Sequence, residues 1–229
     1  MINNRILITG TSSGLGSYLK KKFNCIGFNR KKNFKVYKKK WDLIIHCGFH
    51  SGDNENKILE AINISNNISS LKSKKKIFIS SLIVYSKIET LYKSGKIISE
   101  RFFINKKNSY IIRLGSIVGP GMRKNTIKKI IYDRNPKVGL SGNSKFSFIH
   151  YDEIFHLIKD LVIQKDIKEV DFIRRDFITL KKISKMLKKD TKFGRHLFNC
   201  IDTKNKEKLK FRYILNNKNS IDIIKALKK

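Results

Sequence analysis

The chain has 229 residues, 40% of them apolar, which is enough for one substantial core with a small appended lobe. Lysine and arginine number 51 against 18 acidic residues, a net charge of +33 that attracts polyanions; yet the lysines are scattered through almost every segment, without a basic tail or a zinc-finger or RNP-type motif, which argues against a nucleic-acid partner. No stretch of about 18 residues is free of charge, so no membrane-spanning helix is expected, and Asn3, Asn4 and Arg5 stand where a secretory peptide would need an apolar run, which points to the cytoplasm.

Taken in order, residues 5–9 read as a short buried strand, and 14–23 as a helix with Leu15, Leu19 and Phe23 on one face. Residues 25–29 and 43–47 give two further short strands. Residues 54–71 carry Ile58, Ile62 and Leu71 at helical spacing, although their Asn and Ser content makes a mediocre helix former. The run 77–80 reads as a strand, 93–104 as a helix and 110–114 as a strand. Apolar runs without polar alternation, separated by helices, predict a parallel sheet covered on both faces: a doubly wound α/β fold. Beyond Pro120 the pattern predicts helices over 124–132, 151–163, 179–187 and 221–227, a loop or short strand over 139–147, and an edge strand over 170–173. No linker is visible, so residues 1–229 are expected to form a single domain, with a small lobe built mainly from about 119–147 and 174–229. The lysine runs 38–40 and 74–76 read as solvated loop and helix ends.

The stretch TGTSSGLG, residues 9–16, sits between the first strand and the first helix. A helix that starts directly after a parallel strand presents unpaired N–H groups and the positive end of its dipole, where a phosphate is favoured. Gly10 allows the sharp turn, Gly14 the approach of a pyrophosphate, and Gly16 the close packing of helix on strand. Cys25, Cys47 and Cys200 lack any CxxC pairing and fit reduced thiols, and the five histidines show no metal-ligand spacing, so no metal is expected.

Four further segments follow in order: FISSLIVYS (78–86), YKSGKIISE (92–100), IIRLGSIVGPG (111–121) and FIHYDEI (148–154). With the glycine turn, this series resembles the extended, sugar-nucleotide-modifying branch of the short-chain dehydrogenases/reductases, the NAD-dependent epimerase/dehydratase family, although Ser13 and Ser86 replace glycines of that pattern. The resemblance implies a Rossmann fold with a small C-terminal substrate lobe, a nicotinamide dinucleotide held by Gly10, Ser12, Ser13, Gly14, Leu15, Gly16, Cys47 and Gly48, and a nucleotide-linked sugar as substrate. Tyr92 and Lys96, at i and i+4, share a helix face. Tyr92 would act as acid and base; its free pKa of about 10 calls for a nearby cation, which Lys96 would supply while holding the nicotinamide ribose. Ser81 would orient the reacting oxygen, unless it only caps the following turn. Ser116 and Lys145 would meet the substrate, and Asn56 would support the site. After the second strand stand Asn29 and Arg30, followed by Lys31 and Lys32, with no carboxylate to select NAD, so NADP(H) is favoured over NAD(H).

Departures from the family pattern narrow the reaction. Leu82 and Ile83 occupy the places of the Asp and Glu used for dehydration, leaving oxidation, reduction or 4-epimerisation. Phe146, beside Lys145, replaces an arginine that often clasps the nucleotide diphosphate. Only residues 29–41 replace a whole βα unit. Family analogy also implies a homodimer through the helices that follow Asn54 and contain Tyr92. The alternative reading is a non-catalytic dinucleotide-binding or RNA-associated protein that keeps the fold.

Overall fold

The structure, a computed structural model, describes residues 5–163, 168–174, 176–199, 212–215 and 219–228; Cys200 lies outside them. The first strand, β1 (Ile6–Thr9), is buried along its whole length and passes through the glycine turn into α1 (Gly14–Phe23). Then come β2 (Ile26–Gly27), β3 (Trp41–His46), α2 (Glu55–Ser70), β4 (Ser73–Ser81), α3 (Leu91–Ile104), β5 (Ser109–Leu114) and β6 (Ser116–Val118). The C-terminal part adds α4 (Thr126–Tyr132), β7 (Lys137–Leu140), β8 (Lys145–Phe146), β9 (Phe148–His150), α5 (Tyr151–Ile163), β10 (Glu169–Arg174), β11 (Ile178–Thr179), α6 (Leu180–Met186), β12 (Lys192–His196), β13 (Arg212–Leu215) and α7 (Ser220–Lys228).

Seven strands form one parallel sheet in the order β13-β10-β5-β4-β3-β1-β2. Alternate residues of its strands feed two cores. On one face Leu7, Ile44, Phe78 and Ile111 pack with Ile58, Ala61 and Ile68 of α2 and Phe103 of α3. On the other, Ile8, Ile45, Ile77 and Ile112 pack with Leu15 and Leu19 of α1 and with Ile154, Leu157 and Leu161 of α5. A strand covered on both sides has no polar face, which is why the sequence shows unbroken apolar runs. The apolar residues of α4, α6 and α7 join this second core. The three short pairs β6/β9, β7/β12 and β8/β11 surround it.

Several expectations are corrected. The strand at 170–173 is not an edge, because β13 pairs outside it in parallel. The lysines 74–76 lie in β4 rather than at a helix end: Lys74 meets Asp42 at 2.8 Å, Lys75 Nζ donates to the Val162 carbonyl, and Lys76 is buried, which lowers its pKa. The second strand is only two residues long, residues 29–40 contain a 3₁₀ turn, Phe34–Tyr37, and among the described residues no strand pairs outside β2. Tyr37 is buried there against Phe28 and Phe34, and Trp41 donates to its carbonyl at 3.0 Å, so an aromatic plug stands in place of a βα unit. Helix α2 accommodates its serines by turning Ser65 and Ser69 inward onto the Ala61 and Asn66 carbonyls, both at 2.7 Å, while the Asn54 side chain caps its start.

Candidate active site

The strand order reverses at β1, which has β2 on one side and β3 on the other, and such a switch point opens a crevice at the carboxyl ends of the strands. Gly10 turns there with φ +70°, and a Cβ on it would lie 2.8 Å from both Cα and N of Gly48. A Cβ on Gly16 would lie 2.7 Å from the Gly10 carbonyl carbon. Glycine therefore sets how close β1, α1 and the end of β3 can come, and this closeness forms the cradle that a pyrophosphate requires. Ser13, at the N-cap of α1, makes no side-chain capping bond, and the first turn carries no acid, both of which suit an anionic occupant.

A buried relay holds the two strand ends together. Ser65 uses its proton on the Ala61 carbonyl, so it accepts from His46 Nε2 at 2.9 Å. His46 Nδ1 is then the acceptor and takes the Thr9 hydroxyl proton at 2.6 Å, while Thr9 accepts from the Gly48 N–H at 2.9 Å. Burial, followed by the Lys96 charge, pushes His46 down to about 3, which keeps it neutral.

The crevice has two chambers. The outer one, about 880 Å³, is lined by Gly10, Ser12, Gly48, Asn29 and Arg30, with Lys20, Lys31, Lys32 and Lys57 around them. The inner one, about 290 Å³, brings together Ser13, Gly14, Leu15, Gly16, Cys47, Ser81, Tyr92 and Lys96. Gly10, Phe49 and Arg123 border both. Asn29 donates its N–H to the Tyr37 hydroxyl at 2.9 Å, and Arg30 pairs with Glu60 at 2.9 Å in an exposed position. Ser116 and Lys145 are not among the residues lining either chamber. Gly115 and Ile117, the neighbours of Ser116, face the inner one, and Lys145 is exposed on the β8 edge. Asn56 is exposed in the first turn of α2, also outside the chambers.

Helix α3 is capped by Thr90 and sits close to α2 because Gly95 faces Ile58 and Phe49, where a Cβ would lie 2.8 and 3.1 Å from their side chains. Ser81 and Tyr92 line the chamber together, and Ser81 Oγ accepts from the Ile83 N–H at 3.3 Å, so this serine caps the turn and faces the chamber at once. Burial pushes Tyr92 up to about 12, with hydrogen bonding to Ser81 and the Arg123 charge acting in the opposite direction. Lys96 donates to the Ile79 carbonyl at 2.9 Å and lies 4.3 Å from the Phe49 ring centroid and 5.9 Å from that of Tyr92. Burial pushes it down to about 7. Lys96 thus stands within cation–π range of Tyr92 while its ammonium bonds to the strand, and the Arg123 charge adds to the field that lowers the phenol. Behind Lys96, Arg113 fastens α3 to the sheet through Glu100 at 2.5 Å and Glu169 at 2.6 Å, with Tyr85 and Asp171 completing the cluster. Sequence reading missed Arg123, Tyr151 and Phe49 in the lining; only the closeness of 121–123 to a glycine-rich segment could have hinted at them, and that closeness is tertiary.

No family model matches the chain, and no curated protein matches it. Solved structures do. A dTDP-4-dehydrorhamnose reductase from Bacillus anthracis in complex with NADP superposes with a TM-score of 0.76 at 14% identity over 99% of this chain and 98% of that one. The chain shares the fold of that reductase. A UDP-glucuronic acid 4-epimerase from Bacillus cereus in complex with UDP-glucuronic acid and NAD gives 0.72 at 15% identity, covering 97% and 99% of the two chains. An NAD-dependent NDP-hexosamine 5,6-dehydratase involved in tunicamycin biosynthesis gives 0.70 at 14% identity over 86% and 85%. Among the described residues no helix is long and apolar enough to cross a membrane.

Proposed function

We propose that this protein is a cytoplasmic NAD(P)-dependent oxidoreductase or 4-epimerase acting on a nucleotide-linked sugar in surface-polysaccharide synthesis. The observation that carries the reading is the inner chamber, where the glycine turn, Ser81 at the end of β4, and Tyr92 and Lys96 of α3 converge from three separate segments. Gly10, Gly14, Gly16 and Gly48 would cradle the dinucleotide, and Asn29 with Arg30, Lys31 and Lys32 would surround its adenosine end. The basic outer chamber supports NADP(H) over NAD(H), since among the described residues Glu60 is the one carboxylate that lines it, and it is paired with Arg30. When bound, the dinucleotide exchanges hydride with a sugar carbon. Tyr92 moves the proton of the reacting hydroxyl, and Ser81 orients that oxygen by hydrogen bonding. Tyr92 stays protonated over the physiological range in the free protein, which suits the acid role in carbonyl reduction. A second copy would dock through α2 and α3, whose outward faces expose Leu59, Leu91 and Ile98.

The test is a panel of UDP-, dTDP- and GDP-sugars and their 4-keto forms, followed by nicotinamide absorbance and product analysis. Tyr92→Phe is expected to lower turnover at least a hundredfold while NADPH still binds. Unchanged turnover on every accepted sugar would refute the catalytic assignment, and binding without turnover by the unaltered protein would favour the non-catalytic alternative.

A further inference from the structure

The segment 119–125, which follows β6, folds down onto the glycine turn. The Gly14 N–H, one of the donors that the start of α1 could give to a phosphate, is instead donated to the Gly121 carbonyl at 3.0 Å. In exchange the same segment brings Arg123 over the turn. Its Nε donates to Ser13 Oγ at 3.0 Å and one Nη to the Phe49 carbonyl at 3.4 Å. Both partners are neutral, and among the described residues no carboxylate pairs with this guanidinium. Tyr151, the first residue of α5, approaches from the other side. It is 2% exposed and lines the inner chamber. A Cβ built on Gly14 would meet the Tyr151 hydroxyl at 3.4 Å and Arg123 Cγ at 3.9 Å, so these two side chains roof the outward face of this glycine.

Arg123 borders both chambers at their junction. A dinucleotide lying through the crevice, with its adenosine end in the outer chamber and its nicotinamide end in the inner, would have its pyrophosphate at that junction. From this geometry we propose that Arg123 and Tyr151 clamp the cofactor's pyrophosphate against the glycine turn, the guanidinium as a charged fork and the phenol as a neutral donor. The proposal rests on the dinucleotide reading above. It compensates for two features, the Gly14 donor tied up by Gly121 and, among the described residues, the absence of another cation bordering both chambers. Burial pushes the Tyr151 phenol up to about 12, so it keeps its proton throughout the working range.

The experiment uses the full chain and three probes: NADPH, followed by fluorescence, and ADP-ribose and 2′-AMP, followed by calorimetry. ADP-ribose carries the pyrophosphate without nicotinamide, and 2′-AMP carries the adenosine phosphate without pyrophosphate. Arg123→Gln is expected to weaken NADPH and ADP-ribose roughly ten- to hundredfold, and Tyr151→Phe a few-fold, with 2′-AMP affinity unchanged in both. Unchanged ADP-ribose affinity in Arg123→Gln overturns the clamp. So does an equal loss for 2′-AMP, which would mean a general field effect, or a loss confined to a UDP-sugar, which would place Arg123 on the substrate. If the unaltered protein binds neither NADPH nor ADP-ribose, the dinucleotide reading itself falls and takes the clamp with it.

Discussion

His46 offers a quantitative check on the crevice, because its relay leaves no room for a second ring proton. Protonation would put a donor on Nδ1 facing Thr9 Oγ1, which already accepts from the Gly48 N–H and would have to turn its own proton elsewhere. With a folded pKa of about 3 and an unfolded value of 6.5, the unfolded chain binds more protons between those limits. The stabilisation is therefore complete above pH 6.5 and is lost as the pH falls toward 3. From these two values the loss between pH 7.5 and 4.5 works out at about 3 kcal/mol. A glutamine at this position can accept from Thr9 and donate to Ser65 without titrating. Urea unfolding of the unaltered protein and of His46→Gln at both pH values should then show the unaltered protein losing about 2–3 kcal/mol more than the variant. Parallel losses in the two proteins would refute both the deduced tautomer and the burial argument.

Two other substitutions probe the frame around the site. Gly16→Ala would place a methyl group 2.7 Å from the Gly10 carbonyl carbon and 2.8 Å from the Thr9 carbonyl oxygen, backbone atoms that cannot yield without opening the crevice. A cost of about 2–3 kcal/mol is expected, read as a Tm lowered by roughly 5–10 °C together with weakened NADPH binding. Gly139→Ala, where a Cβ meets nothing within 4 Å, should leave the Tm alone, and equal melting of both variants with the unaltered protein would contradict the packing. Arg113→Leu strands Glu100, Glu169 and Asp171 around an apolar side chain and is expected to cost about 3–5 kcal/mol in chemical denaturation, while Arg113→Lys should lie between it and the unaltered protein. A loss under 1 kcal/mol for the leucine variant would mean that the cluster is solvated.

Legibility in the sequence followed the range of the interactions. The strands β1, β3, β4 and β5 and the helices α1 and α5 announced themselves through apolar runs and helical spacing, since burial on both faces acts on each segment independently. The short β2, the interior position of β10 and the lysines of β4 did not, because each depends on which strand lies alongside. Tyr92 and Lys96 were visible as a pair at helical spacing, but the bond from Lys96 to the Ile79 carbonyl and its desolvation were not, because they arise from burial and not from spacing. Arg123 and Tyr151 carried no local signal at all.

What the sequence alone determined is the α/β sheet, the glycine turn that opens its first crossover, and the candidate serine, tyrosine and lysine, since backbone conformation, periodicity and residue chemistry are local quantities. What only the tertiary structure decided is the charge state of those groups, the roof over the turn and the division of the crevice in two. Desolvation and cation placement depend on atoms brought from more than a hundred residues away, as Arg123 is brought to Ser13.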